Sequence, residues 1–332
     1  MKIAPRFRSV LGPSITRYLT LKRALGRQYA NEERVLQSID QFVRLSAPAN
    51  LTAATFASWG GTLQHLTPTV LRNRMRIARN FCLFKRRSEP ECFVPDPLLF
   101  PSSHQARRPY VFTKGEIVHI LAAAQQMEPT NGSPLRPEVY RLAIILLYTT
   151  GLRRGELTRM TLGDYDAKQR TLFVSRTKFH KSRYVPLSDD GVHEVERYLQ
   201  TRRAHHLSVS SEVPLMWNRY TGRHCFTAAG LAQGIRELLR KTGVRTPDHR
   251  LPRVHDFRHT FAVHALLRWY EAGADVQAKL PLLATYMGHV SIVSTEYYLH
   301  FIEPLASAAS ARFGLRCGAL VSASAKRGGS RQ

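Results

Sequence analysis

Between residues 88 and 110 the chain carries Pro90, Pro95, Pro97, Pro101 and Pro109, with Ser102 and Ser103 among them. Each proline removes a backbone donor and resists helix, so the stretch reads as a linker. At 332 residues the chain is long enough for an ordinary domain on either side of it. We expect a helical domain over 1–95, a linker over 96–110, a second domain over 111–305 and a tail over 306–332. Alanine, glycine and serine dominate that tail. It reads as disordered, or as a short helix docking on a neighbouring subunit.

The first domain is helical wherever its apolar residues are periodic. Ile15, Tyr18, Leu19, Leu21 and Leu25 recur near helical spacing, and Gly26 is a stop. Val35, Leu36, Ile39, Phe42 and Val43 stripe a second helix over about 30–45. A short helix around Phe56 and Trp59 is interrupted by Gly60 and Gly61. The helix over about 68–86 carries Arg72, Arg74, Arg76, Arg79 and Lys85 with no acid among them. A basic helix face is ordinarily just solvated. Here the missing acids and the overall charge make it a phosphate-contacting surface.

In the second domain, Thr113 and Glu116 form a capping box that opens a helix. A buried helix over 137–150 ends at Gly151, and a shorter one starts near Arg154. Then the period changes. Thr171–Ser175 and Arg183–Leu187 alternate as paired strands, and Ser188 caps the next helix. Helices follow over about 231–241, 253–270 and 282–301. The fold class is mainly α with a small antiparallel β-sheet.

Lys and Arg outnumber Asp and Glu by 49 to 24, a net charge of +25. An excess this large predicts a polyanionic partner, most simply nucleic acid. No apolar run is long enough to cross a membrane, and the N-terminus has no continuous apolar core, so neither a membrane role nor a secretory signal is expected. Cys82, Cys92, Cys225 and Cys317 lack metal-ligand spacing. They suggest reduced thiols and a cytoplasmic protein.

Four fragments carry the chemistry. Val254–Thr260 places His255 and Arg258 one helical turn apart, on one face. Met287-Gly288-His289 precedes the pair Tyr297-Tyr298. Thr150–Leu157 holds Arg153, Arg154 and Glu156, and Thr177–Arg183 holds Lys178 and Lys181 between the two strands. Cationic donors with one tyrosine hydroxyl suit attack on a phosphodiester. Its developing charge must be neutralised and its leaving oxygen given a proton. Guanidinium stays charged and its fork matches two phosphate oxygens. A mobile ammonium can act as general acid. A phenol, with a pKa near ~10, needs cationic neighbours or a base to attack. Taken alone, an arginine is usually a surface ion pair and a histidine usually structural. What singles these out is their context in longer fragments.

In order and spacing the four fragments resemble the tyrosine recombinase (phage integrase) family, with six positions agreeing over roughly 111–305. The resemblance implies a helical core-binding domain followed by an integrase-like catalytic domain. It implies Arg153, directly after Gly151-Leu152, and Arg258 as clamps on the scissile phosphate. It implies Lys178 as general acid, His255 and His289 as phosphate donors or proton shuttles, and Tyr298 as nucleophile. Glu156 would orient the arginines or the His255 ring. The usual hairpin pattern Gly-Lys-Gly-x-Lys-x-Arg reads here Thr177-Lys178-Phe179-His180-Lys181-Ser182-Arg183, which aligns Lys178 rather than Lys181. Spacing from Gly288-His289, and His300 beyond, favour Tyr298 over Tyr297. Arg72, Arg74, Arg76 and Arg79 would contact DNA.

The implied function is site-specific recombination through a 3′-phosphotyrosine intermediate, without metal or cofactor. Four protomers would act together, or with related recombinases, on two DNA sites. The stretch Lys279–His289 further resembles recombinases encoded by transposons, so a mobile element is the expected setting. The alternatives are type IB topoisomerase-like relaxation and a non-catalytic DNA-binding partner.

Overall fold

The computed structural model describes residues 7–46, 50–102, 108–175, 182–219, 225–289, 291, 295, 307 and 310. The chain divides into two compact units, Met1–Arg107 and Arg108–Gln332.

The first unit contains α1 (Gly12–Ala24), α2 (Ala30–Ser46), α3 (Ala53–Gly61) and α4 (Pro68–Lys85). Leu11, Ile15, Leu36, Ile39, Trp59 and Phe81 are fully buried in its core. Asp40 on α2 accepts from the backbone N–H groups of Arg8 and Ser9, at 3.0 and 3.1 Å, and so fixes the entry to α1. Gly60 and Gly61 lie inside α3 instead of interrupting it, because the helix continues to its cap at Thr62.

The proline-bearing segment is held closely by this unit. Phe93 and Val94 pack on its core and Phe100 is buried in it. Two arginines of α4 bind the segment's carbonyls: Arg79 Nε donates to Pro95 at 3.0 Å, and Arg72 Nη1 to Pro101 at 2.9 Å. A proline offers no N–H but keeps its carbonyl, so a Pro-rich segment suits guanidinium donors. Of the stretch expected as linker, residues 96–101 are thus fastened to α4.

In the second unit the order is α5 (Lys114–Gln125), α6 (Arg136–Thr150), α7 (Arg154–Leu157), β1 (Tyr165–Asp166), β2 (Thr171–Val174), β3 (Arg183–Pro186), α8 (Asp189–Ala204), α9 (Ala228–Lys241), α10 (Asp256–Glu271) and α11 (Val276–Met287). The capping box of Thr113 and Glu116 is formed at α5. Helix α6 is apolar nearly all round, as a central helix must be; it packs against α5, α8, α9 and α10. The strands pair antiparallel in the order β1-β2-β3, with Val174 opposite Arg183. Leu172, Val174 and Val185 turn inward. At only two residues, β1 has no period that a sequence could display.

One expected element is displaced. Of the helix expected over 282–301, the part over 282–287 belongs to α11, which begins earlier, at Val276, where Asp275 accepts from Ala278 N–H, and ends at Met287; residues 290, 292–294 and 296–301 lie outside the described residues. Gly288 takes φ 66°, the left-handed region that glycine enters without strain, and stops it. Pro281 lies inside α11.

Candidate active site

The site grows from the ends of two helices. Gly151, just after α6, takes φ 61°, and a Cβ there would stand 2.6 Å from Phe261 Cδ1. This left-handed turn releases the chain toward Arg153. The Arg153 backbone N–H donates to Glu156 Oε2 at 2.9 Å, which starts α7. Its Nη1 donates to Glu156 Oε1 at 2.8 Å, and its Nη2 to the Gly288 carbonyl at 2.9 Å.

At the end of α11, His289 N–H donates to Ala284 and Gly288 N–H to Thr285, at 2.8 and 3.0 Å. These two bonds are a Schellman motif, and they leave the carbonyls of the next three residues to other donors. Three arginines take them. Arg183 Nε donates to Tyr286 at 2.8 Å, Arg258 Nη2 to Met287 at 2.6 Å, and Arg153 Nη2 to Gly288 at 2.9 Å. Arg258 also reaches back to the Gly151 carbonyl at 2.6 Å, and is only 1% exposed. Each terminal guanidinium nitrogen carries two hydrogens, so a bond to a carbonyl aims it without exhausting its capacity to donate to a phosphate oxygen.

Glu156 is the anionic centre. Its side chain is 2% exposed, and it accepts from Arg183 Nη1 and Nη2, at 3.2 and 2.9 Å, as well as from Arg153. Burial works to raise its pKa. The Arg183 guanidinium and then the Arg153 N–H groups outweigh that and bring it to about 2. An ionised carboxylate is sustainable there because two forks and a backbone N–H satisfy it.

The imidazoles are neutral. His289 is pushed down to about 4, first by burial and then by Arg258, Arg153, His255 and Arg183. Its Nδ1 lies 2.7 Å from Thr295 Oγ1. His255 stands at the N-cap position of α10, without a side-chain capping bond, and is open to solvent as a whole. Crowding of its ring, then Arg258, Arg253 and Arg153, still outweigh Asp256 and bring it to about 4. The ring of His259 meets His255 edge to face, with centroids 4.7 Å apart. A neutral imidazole among guanidiniums can donate one hydrogen bond and accept another without adding charge, and its free ring nitrogen can take up a proton.

Of the residues expected from the sequence, Arg153, Glu156, His255, Arg258 and His289 are thus brought together. Lys178 and Tyr298 lie outside the described residues, as do their rivals Lys181 and Tyr297. Arg72 and Arg79 are engaged by carbonyls in the first unit, while Arg76 is exposed and Arg74 partly so. Two participants escape the sequence reading. Arg183 stands in it only as the last residue of the hairpin pattern and the start of a strand. Its signal is its place in that pattern. Thr295, fully buried, has no such signal. Phe257 stacks on Phe112 at 4.4 Å, which accounts for an aromatic at that position.

The chain matches the phage integrase family over residues 111–303, more than half its length. A putative integrase/recombinase of Sinorhizobium fredii, y4rB, is 30% identical over 293 residues, 88% of this chain and 93% of that protein. The tyrosine recombinase XerC of Lactobacillus delbrueckii is 25% identical over 239 residues, covering 72% of this chain and 74% of its own. Among solved structures, the Tn1549 transposon integrase in complex with a circular intermediate DNA has a TM-score of 0.63 at 18% identity. That likeness covers 90% of this chain and 99% of the other, and is one of fold. The family match and these relatives define a DNA breaking-rejoining enzyme. The chain belongs to the phage integrase family, the tyrosine recombinases, and its work is site-specific recombination.

Proposed function

We propose that the chain cuts and rejoins duplex DNA through Tyr298. The Tyr298 hydroxyl oxygen forms a bond to the scissile phosphorus, and the bond from phosphorus to the 5′ oxygen breaks. Lys178 gives that departing oxygen its proton. Arg153 and Arg258 hold the two non-bridging oxygens, and His255 and His289 donate to the phosphate or take the tyrosine proton. The product is a 3′-phosphotyrosine, which conserves the phosphodiester energy, so a 5′-hydroxyl from another strand can reverse the step and join a new partner. The observation that carries this reading is the aiming of Arg153 and Arg258 by the adjacent carbonyls of Gly288 and Met287, next to His289.

Four protomers, or a mixed assembly with related recombinases, would bring two DNA sites together. The first unit would be a core-binding domain over 1–95 that supplies phosphate contacts through Arg74 and Arg76 of α4, Arg72 and Arg79 being held by carbonyls, and 111–305 would be the catalytic domain. The resemblance of Lys279–His289 to transposon-encoded recombinases points to integration or transposition of a mobile element. The cytoplasm is the corresponding compartment; among the described residues no helix is long and apolar enough to cross a membrane.

Covalent trapping tests the reading. The protein is incubated with duplexes tiled across the DNA flanking its own gene, denatured, and assayed for protein-bound DNA, alongside Tyr298→Phe and Tyr297→Phe. An adduct lost only in Tyr298→Phe is expected. Loss only in Tyr297→Phe would keep the reaction and move the nucleophile. No adduct in any case, with salt-sensitive binding intact, would favour a non-catalytic DNA-binding role.

A further inference from the structure

The structure assigns a further role to Arg183: it is a positioning residue that clamps Glu156 against Arg153 and ties both to the end of α11. The inference rests on the strand-cleavage reading above. Arg183 begins β3, and its side chain is 10% exposed. Three of its nitrogens are engaged, Nε by the Tyr286 carbonyl and both terminal nitrogens by Glu156. Both terminal nitrogens pair with the buried Glu156 carboxylate and Nε is taken as well, so its charge is already matched, whereas Arg258 gives its fork to neutral carbonyls. Arg183 instead fixes the carboxylate whose other face holds Arg153. Glu156 belongs to α7 and Tyr286 to α11, so one guanidinium on β3 locks the two elements that carry Arg153's two partners, Glu156 and Gly288. A third element would otherwise be needed, since α7 is a helix of only four residues and is weakly determined by itself.

Loss of the clamp has a specific consequence. Without Arg183, Arg153 keeps its charge and its place in the chain, so long-range attraction to DNA is nearly unchanged. What changes is the aim of Arg153 at the phosphate. Misplacement by about an ångström costs on the order of a hundredfold in rate. The effect should therefore fall on the chemical step and not on binding.

The test uses the full-length protein, Arg183→Gln and, as a gentler variant, Arg183→Lys. The probe is a set of nicked duplexes tiled across the DNA flanking its own gene, with a randomised duplex pool beside it. Arg183→Gln is expected to lower the single-turnover rate of adduct formation by about a hundredfold, with DNA affinity and its salt dependence unchanged. Arg183→Lys, which keeps a cation beside Glu156, should recover part of the rate. Because Arg183 acts through Arg153, its loss should cost little further in an Arg153→Lys background. Additive losses, or a matching loss of affinity, would overturn the proposal. Nitrogen-15 NMR of the arginine side chains gives a reading that needs no DNA. Arg153 should be immobilised in the wild type and released in Arg183→Gln. An Arg153 equally immobilised in both overturns the clamp. A wild type that forms no adduct while its Arg153 is immobilised overturns the cleavage reading instead, and with it the part of Arg183 in that reaction.

Discussion

Gly288 and Arg183 approach so closely that a Cβ on Gly288 would stand 2.8 Å from Arg183 Nη1. The guanidinium cannot simply swing aside, because Glu156 and the Tyr286 carbonyl hold it. Gly288 also needs its positive φ to end α11. Two requirements therefore meet at one residue. Gly288→Ala is expected to destabilise the protein by ~1–3 kcal/mol from the backbone alone, and to slow adduct formation by disturbing Arg183. Gly243→Ala is the control. It has φ 70° with nothing within 4 Å of its would-be Cβ. It should lose comparable stability in thermal unfolding and leave the rate alone. Equal rates for the two variants would sink the argument.

Glu156 ties stability to pH. Its folded pKa of about 2 lies below the ordinary value of 4.5. The folded state therefore binds fewer protons between those values, and the stabilisation is present above pH 4.5 and lost as pH falls toward 2. The shift corresponds to ~3 kcal/mol at neutral pH. Glu156→Gln should cost about that much in urea unfolding at pH 7. The gap between variant and wild type should narrow steadily below pH 4.5. A gap that stays constant on acidification would mean that the carboxylate's charge is not what matters.

The imidazoles run the same way for a different reason. His289 is held near 4 instead of 6.5 by burial and by arginines, and His255, open to solvent as a whole, is brought to the same value by crowding of its ring and by arginines. Acid must protonate them against that resistance, so their stabilising neutral state is complete above pH 6.5 and is lost as pH falls through about 4. Proton NMR titration should show both rings changing charge well below pH 6. An ordinary midpoint for either would place its ring outside the guanidinium field.

The arginines of α4 should separate into two pairs. Arg72 and Arg79 are committed to the carbonyls of Pro101 and Pro95. Arg72→Ala is expected to cost ~1 kcal/mol of stability in the first unit. Arg74→Ala with Arg76→Ala should spare stability and reduce the slope of log affinity against log salt by about 2, near 0.9 for each phosphate no longer neutralised. Binding measured across a salt series decides this, and an unchanged slope would remove α4 from the DNA interface.

How much of the fold and site is legible in the sequence depends on whether the cause is local. The capping box at Thr113 is written in two residues, and the stripe of α2 in five, so both are legible. Arg153, Arg258, His255 and His289 are legible through the fragments around them. The end of α11 is not, because the apolar pattern of Tyr286 and Met287 resumes beyond Gly288 at Val290, Ile292 and Val293. Only the backbone angle reveals that this glycine stops the helix. Arg183 escapes notice because its partners are far away in the chain, 27 residues off at Glu156 and 103 at Tyr286. Nothing beside Arg183 announces those contacts. Arg72 and Arg79 look like uncommitted surface charge, because a sequence does not show that proline carbonyls will be brought against them.

Tyr286, Met287 and Gly288 are successive residues, so the three carbonyls that receive Arg183, Arg258 and Arg153 travel as one body. Displacing the last turn of α11 withdraws acceptors from β3, α10 and the approach to α7 at the same moment. Each arginine keeps a second acceptor, Gly151 for Arg258 and Glu156 for Arg153 and Arg183, but all three lose the one that this turn supplies. Whatever seats or unseats that single turn therefore reaches all three guanidiniums at once, without touching any of them itself.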